Sequence, residues 1–474
     1  MTTIPERADA LTLFGITGDL AKKMLLPALY NLTARGALDT PVIGIGRKDW
    51  SRTKLHQHAR DALLAAQLPI DEVMFTKLTG LLDYTRIDYG DQATFDALAT
   101  KVRGHGRLAH YVAVPPSTYV TIAQRLAAAG LADNARLIVE KPFGHDLDSA
   151  RALQAELTQY FSEEQLRRVD HFLGKDAVEN LLTFRYANTM LTDLLSRRHV
   201  RGVQITMAED FDVAGRGGFY DATGCLRDVV QNHLLQMFAY LVMDAPRTGS
   251  ATDILDERDR ALRATRTVRP DDCVRGQYTG YLDVPGVEAD STTETYVALR
   301  TWVDNERWSG VPFVIRAGKA LATTAIEIVA ELDRPIPGYF HTAYAQEVRG
   351  NLVRFRISPS TGVTFDLLAQ HGSTTTVDDV AATADFTHLT GTDIGAYEHI
   401  LADSITGDPR RFTRMDMVEE CWRIIGRLLT PPGPPLTYTP GSWGPTEATA
   451  LTTDGKWHPL EQDATDSSTR SPAP

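Results

Sequence analysis

The chain reads as an α/β unit built on a parallel sheet, followed by a larger α+β unit whose sheet is mostly antiparallel. Three observations predict this. Between about Leu11 and Phe172, short apolar runs alternate with amphipathic stretches, the rhythm of parallel strands joined by crossover helices. Beyond about Lys175 the strands lengthen and alternate, as in TETYVALRTWV, Asp304-Asn305 and VPFVIRAG, a pattern that pairs neighbours antiparallel. The length, 474 residues at 43% apolar content, exceeds what one ordinary core encloses. The expected division is a first unit at 1–174, a second unit at 175–460 and a disordered tail at 461–474, whose EQDATDSSTRSPAP composition cannot build a core.

The runs ALTLFGI, PVIGIG, LAHYVAVP and RLIVEKP have apolar residues at consecutive positions, so they are expected to be buried on both faces. AKKMLLPALYNLTARG places its apolar residues at helical spacing and ends on Gly36, a suitable C-cap. In the second unit, DATGCLRDVVQNHLLQMFAYLVMD and DMVEECWRIIGRLL read as helices, and PPGPPLTYTP cannot continue one. No internal repeat is visible.

Composition narrows the functional classes. A net charge of -12 disfavours nucleic acid or an anionic membrane as partner, since both reward a basic surface. No run approaches the roughly 18 apolar residues of a membrane helix, and MTTIPERADA lacks the apolar stretch of a secretory signal. Cys225, Cys273 and Cys421 are few and far apart, which suits a cytoplasmic protein without a disulfide framework or metal site.

The first apolar run leads into Gly15-Ile16-Thr17-Gly18-Asp19-Leu20 and then a helix, the context in which backbone N–H groups hold a pyrophosphate. The first unit is therefore expected to be a Rossmann-type dinucleotide-binding domain. G-x-x-G alone also suits a strand-to-helix turn with no ligand. After PVIGIG come Arg47 and Lys48, where an NAD enzyme places an acidic residue for the ribose 2′-hydroxyl. Cations there favour a 2′-phosphate, hence NADP, with Arg47 the better suited because a guanidinium can donate two parallel hydrogen bonds.

Two further runs concentrate chemistry. Arg168-Val169-Asp170-His171-Phe172-Leu173-Gly174-Lys175 joins a carboxylate, an imidazole and an ammonium at a strand-to-helix transition. If a helix starts near Gly174, His171 and Lys175 converge on one anion while Asp170 points elsewhere. Arg227-Asp228-Val229-Val230-Gln231-Asn232-His233 lies in a helix whose Leu226, Val229, Val230, Leu234 and Met237 face a core, with His233 beside the stripe. Taken singly, a histidine there is more often a hydrogen-bonded core residue than a catalyst.

The strings GITGDLAKK, RLIVEKPFGHDL, RVDHFLGKD, GRGGFYD, RDVVQNHLLQM, RGQYTGY, STTETYVALR and VPFVIRAGKAL resemble the glucose-6-phosphate dehydrogenase signatures in order and approximate spacing, from about Leu11 to Pro445. The resemblance implies oxidation of glucose 6-phosphate at C1 to 6-phosphogluconolactone with NADP, the first oxidative step of the pentose phosphate pathway. His233 is then the general base, Asp170 its orienting carboxylate, and Lys141 the lysine touching nicotinamide and substrate, before a cis peptide to Pro142. His171 and Lys175 take the 6-phosphate; Glu209, Asp228 and Lys319 surround the sugar; Asp88 and Tyr89 join the Gly15–Leu20 turn and Arg47 around the cofactor. A homodimer or homotetramer is usual in such a family.

Two positions depart from that pattern. Phe172 replaces a tyrosine often found there, and Thr324 stands where a second basic residue usually follows GKAL, so a weaker hold on the 6-phosphate is expected. Two alternatives accompany this reading: a glucose–fructose oxidoreductase-like sugar dehydrogenase, against which DHFLGK and RDVVQNHLLQ argue, and a non-catalytic NADP-binding sensor, which would have no need of a base.

Overall fold

The structure, a computed structural model, describes residues 7–334, 350–370, 377–386, 394–430 and 433–460. The tail expected at 461–474 lies outside them. The chain forms two compact units: Met1–Asp176 with Pro246–Asp259 and Asp393–Glu420, and Ala177–Ala245 with Arg260–Thr392 and Cys421–Pro474. Two segments read from the sequence as part of the second unit thus belong to the first. The reason is packing: in the helix Ala396–Thr406, the residues Tyr397, Ile400, Leu401 and Ile405 enter the first unit's core. Amphipathic spacing states that a face is buried, but not against which sheet.

The first unit contains strands β1 (Ala10–Phe14), β2 (Val42–Gly46), β3 (Leu82–Arg86), β4 (Leu108–Val112), β5 (Arg136–Glu140) and β6 (Leu166–Val169). Their spatial order is β6-β5-β4-β1-β2-β3, every pairing parallel, with the short strand Phe412–Thr413 antiparallel beyond β6. β1, β2 and β4 are buried at every position. Leu11 and Leu13 pack into one core while Ala10 and Phe14 pack into another, which is why these runs carry no polar alternation. Parallel pairing sends every strand's C-terminal end to one edge, and the loops leaving that edge hold the ligand-binding residues predicted for this unit.

The second unit carries β7 (Val200–Ala208), β8 (Cys273–Tyr278), β9 (Tyr296–Trp302), β10 (Pro312–Gly318), β11 (Ala325–Leu332), β12 (Leu352–Ser358), β13 (Gly362–Gln370) and β14 (Val377–Asp385). They run in the order β14-β13-β12-β11-β7-β10-β9-β8, with Leu436–Tyr438 at the far edge. β9 and β10 pair antiparallel, as the alternation predicted. The pairings of β10 with β7 and of β8 with Leu436–Tyr438 are parallel, a mixture the alternation did not reveal.

The helix read over 221–244 divides in two. Gly217–Cys225 is interrupted at Gly224, whose φ of 67° and ψ of 173° suit glycine almost alone. A Cβ there would lie 2.6 Å from Glu294 Oε1. The chain then winds as a π-helix over Leu226–Leu234 and continues as an α-helix over Leu235–Val242. Among the described residues no helix is long and apolar enough to cross a membrane.

Candidate active site

In the first unit, the glycine turn closes at the end of β1. Gly15 and Ile16 both donate to the Ile45 carbonyl, at 2.9 and 3.2 Å, and Gly18 N donates to Gly15 O at 2.9 Å. Gly15 has a φ of 82°, and a Cβ on it would come within 2.2 Å of the Ala113 carbonyl oxygen, so only glycine lets β1 and the chain after β4 approach this closely. The helix beginning at Asp19 has N-terminal amides that no earlier turn can engage. Arg47 and Lys48 follow β2 and are exposed. Tyr89 packs its ring 6.3 Å from that of Phe14, and Asp88, which is exposed, accepts from Gly90 N at 3.0 Å. Exposed cations beside a glycine turn at a helix start form a donor set that fits a dinucleotide bearing an extra phosphate.

β5 and β6 align Glu140 with Val169, so the next residues, Lys141 and Asp170, leave neighbouring strands side by side. The peptide between Lys141 and Pro142 is cis. Asp170 is only 2% exposed, and its Oδ1 accepts from Phe172 N at 3.0 Å, capping a 3₁₀ turn over His171–Gly174. The α-helix itself starts at Asp176, slightly later than expected. The imidazole of His171 lies nearly parallel to the Tyr397 ring, 5.7 Å between centroids. The Lys175 ammonium sits 4.8 Å from the centre of the Phe172 ring, which is itself buried.

Sequence reasoning missed the group behind this edge. Glu140 is buried, accepts from Tyr111 Oη at 2.5 Å and is also hydrogen-bonded by Tyr397. Burial, reinforced by the negative charge of Asp170, pushes its carboxyl up to about 7 against the opposing pull of Tyr111 and Lys141. Its place beside Lys141-Pro142 was the available signal. The tyrosine partners are far away in sequence and gave none.

In the second unit, parallel β7 and β10 end together. Glu209 follows β7, Lys319 follows β10, and their side chains form an ion pair at 2.5 Å. Backbone bonds hold the corner: Glu209 N to Gly318 O at 3.1 Å, Leu321 N to Glu209 O at 2.9 Å, and Tyr438 Oη to Lys319 O at 2.7 Å. The Lys319 ammonium also lies 4.7 Å from the centre of the Phe211 ring. Thr324, ahead of β11, is committed locally: its hydroxyl donates to Asp210 Oδ1 at 2.5 Å and accepts from Asp210 N at 3.0 Å.

Asp228 and His233 both lie in the π-wound segment. Their separation of five residues matches the i→i+5 repeat of a π-helix, so they stand one turn apart, whereas α winding would fan them around the cylinder. Leu226, Val229, Val230, Leu234 and Met237 are buried as predicted, and His233 is 7% exposed. Asn232 Nδ2 donates to Arg227 O at 3.0 Å, while its Oδ1 accepts from His233 N at 2.7 Å. Glu294, also missed in the sequence, caps the segment by accepting from Leu226 N at 3.0 Å; burial raises its carboxyl pKa.

Two family models match the chain: the NAD binding domain of glucose-6-phosphate dehydrogenase at residues 12–180 and the C-terminal domain of the same enzyme at residues 182–458. The chain belongs to the glucose-6-phosphate dehydrogenase family. It is 42% identical over 444 residues to glucose-6-phosphate 1-dehydrogenase 1 of Mycobacterium tuberculosis, covering 94% of each chain. Against the Dickeya dadantii glucose-6-phosphate 1-dehydrogenase the identity is 36%, over 97% of this chain and 99% of the other. Its structure resembles that of the Mycobacterium avium glucose-6-phosphate 1-dehydrogenase, with a TM-score of 0.88 and 43% identity over 96% of this chain and all of the other. A glucose-6-phosphate dehydrogenase solved in complex with glucose 6-phosphate superimposes with a TM-score of 0.90 at 31% identity, over 97% of this chain and all of that one. The protein is therefore an enzyme, an NADP-dependent glucose-6-phosphate dehydrogenase of carbohydrate metabolism.

Proposed function

We propose that the enzyme oxidises glucose 6-phosphate at C1 with His233 as general base and Asp170 as the carboxylate that orients it, yielding 6-phosphoglucono-1,5-lactone and NADPH as the first oxidative step of the pentose phosphate pathway. The chemistry calls for such a pair. As the C1 hydride leaves for the nicotinamide ring, the C1 hydroxyl must lose its proton, and a neutral imidazole accepts it near pH 7. Bound NADP supplies the hydride acceptor. Asp170 fixes the tautomer and stabilises the imidazolium once it forms, the part a carboxylate takes beside a catalytic histidine in hydrolases.

The observation that carries this reading is that Lys141 and Asp170 directly follow the paired ends of β5 and β6, on the edge where the glycine turn leaves β1. A cation and a buried carboxylate at that edge suit a reacting hydroxyl held against a nicotinamide. His171 and Lys175, on one short turn, hold the 6-phosphate through charge-assisted bonds. Glu209, Asp228 and Lys319 hold the sugar hydroxyls, and the Glu209–Lys319 ion pair keeps two of them aligned before substrate arrives. The Gly15-Ile16-Thr17-Gly18-Asp19-Leu20 turn, Arg47, Asp88 and Tyr89 receive the dinucleotide, with Arg47 on its 2′-phosphate. The large sheet of the second unit offers a face for a homodimer or homotetramer.

The test is NADPH absorbance with glucose 6-phosphate on the parent and on His233→Asn. The expected result is retained substrate binding with kcat lowered about 10²–10⁴-fold, the range of a general base. An unchanged kcat would remove His233 from the mechanism.

A further inference from the structure

The loop after β2 carries more than two cations. The Lys48 ammonium lies 5.6 Å from the centre of the Trp50 ring. That ring stands on a floor of two others: His58, edge-on at 5.0 Å, and Tyr84 at 6.1 Å. One is tied to the cofactor turn and the other to the loop itself. His58 is hydrogen-bonded to the backbone of Ile16, and the Tyr84 hydroxyl donates to the Lys48 carbonyl at 2.6 Å. A Cβ on Gly46 would meet Tyr84 Oη at 2.8 Å and Thr17 Cγ2 at 2.9 Å, so glycine brings the floor against the turn. His58 Nε2 is buried and finds no hydrogen-bond partner among the described residues, so a second ring proton there would be left without an acceptor. Burial and the nearby Lys22 and Lys48 lower its pKa, with only Asp61 and the Ile16 backbone opposing. His58 is thus a neutral support rather than a third cation.

An exposed lysine on a flexible four-carbon stem loses rotamer freedom when it grips a phosphate, and a ring that already holds the ammonium reduces that loss. We propose that Trp50 is a positioning residue that determines cofactor specificity: it holds the Lys48 ammonium beside Arg47 so that the two cations together meet the 2′-phosphate of a 2′-phosphorylated adenosine. This rests on the reading above that the loop after β2 receives the 2′-phosphate. Nothing in it concerns the adenine ring, so a ligand without that phosphate is indifferent to Trp50.

The experiment is calorimetric titration of the full chain with 2′,5′-ADP and with 5′-AMP, which differ only in the 2′-phosphate. Trp50→Leu is expected to weaken 2′,5′-ADP by about two- to fivefold, the scale of an exposed cation–π contact, while the affinity for 5′-AMP stays unchanged. In a Lys48→Ala background, Trp50→Leu should add no further loss. Equal weakening of both ligands, or the same loss with and without Lys48, overturns the proposal. Arg47→Ala and Lys48→Ala separate the two readings: if neither changes the ratio of the two affinities, the 2′-phosphate site itself is misplaced. If they do and Trp50→Leu does not, only the role of Trp50 fails. Should the leucine variant not fold, progressive fluorination of the Trp50 indole keeps its shape while draining charge from its face. The affinity for 2′,5′-ADP should then fall with each fluorine, and a flat series overturns the proposal.

Discussion

The two units place their chemistry by opposite means. In the first, regularity does it: six parallel strands end at one edge, and Gly15, Arg47, Lys141 and Asp170 are the residues that follow β1, β2, β5 and β6. In the second, interruptions do it: a helix broken at Gly224, a π-wound segment holding Asp228 and His233, and a corner in which Ala320 takes a φ of 50°. A regular edge is cheap to build and tolerant of side-chain change, while an interrupted segment depends on a few residues that permit its geometry.

Glycine substitutions test that contrast most severely. Gly15→Ala sets a Cβ 2.2 Å from a backbone carbonyl that the sheet holds in place, and a loss on the order of 4 kcal/mol is expected in denaturant titration. Gly224→Ala meets the end of a glutamate side chain, which can move, so on the order of 2 kcal/mol is expected, with kcat falling out of proportion because the segment carrying His233 is displaced. A larger stability loss at Gly224 than at Gly15 would reverse the comparison.

Next in size is the pH dependence set by Glu140. Its carboxyl is raised from 4.5 in the unfolded chain to about 7 in the fold, chiefly by burial, so the folded state keeps a proton that the unfolded state releases. Stability from this group is therefore fully present below about pH 4.5 and drains away as pH rises towards 7, by on the order of 3 kcal/mol. Glu140→Gln should flatten that part of the profile between pH 5 and 7.5. A parent whose denaturant midpoint follows the same pH curve as the variant would show that the regular edge carries no such buried charge.

The smallest effect concerns the corner ahead of β11. Thr324→Lys gives up the hydroxyl pair with Asp210 and adds a cation where the family pattern has one, and KM for glucose 6-phosphate should fall about tenfold at similar kcat. No change in KM would mean that this corner does not face the phosphate.

What the sequence disclosed follows the same division. β1, β2, β4 and β5 were legible because strands buried on both faces leave unbroken apolar runs, and the Gly15–Leu20 turn was legible because only glycine satisfies its close approach. β3 was not, since Leu-Asp-Tyr-Thr-Arg at the sheet's edge keeps its polar residues outward. The apolar stripe around His233 was predicted correctly. Its π winding was not, because a period drawn from side chains does not register the one extra residue accommodated per turn. Glu140 and Glu294 escaped because a buried carboxylate looks the same in sequence as a solvated one until its partners, Tyr111 and Leu226, are brought beside it.

The path of the chain has a consequence for how the molecule is made. Because Asp393–Glu420 belongs with Met1–Asp176, the first unit lacks its closing helix and the strand beside β6 until nearly the whole polypeptide has left the ribosome. A nascent chain stalled before residue 393 would display an unroofed apolar sheet face, which calls for chaperone cover, and cutting the gene at the family's domain boundary would yield two insoluble fragments rather than two modules.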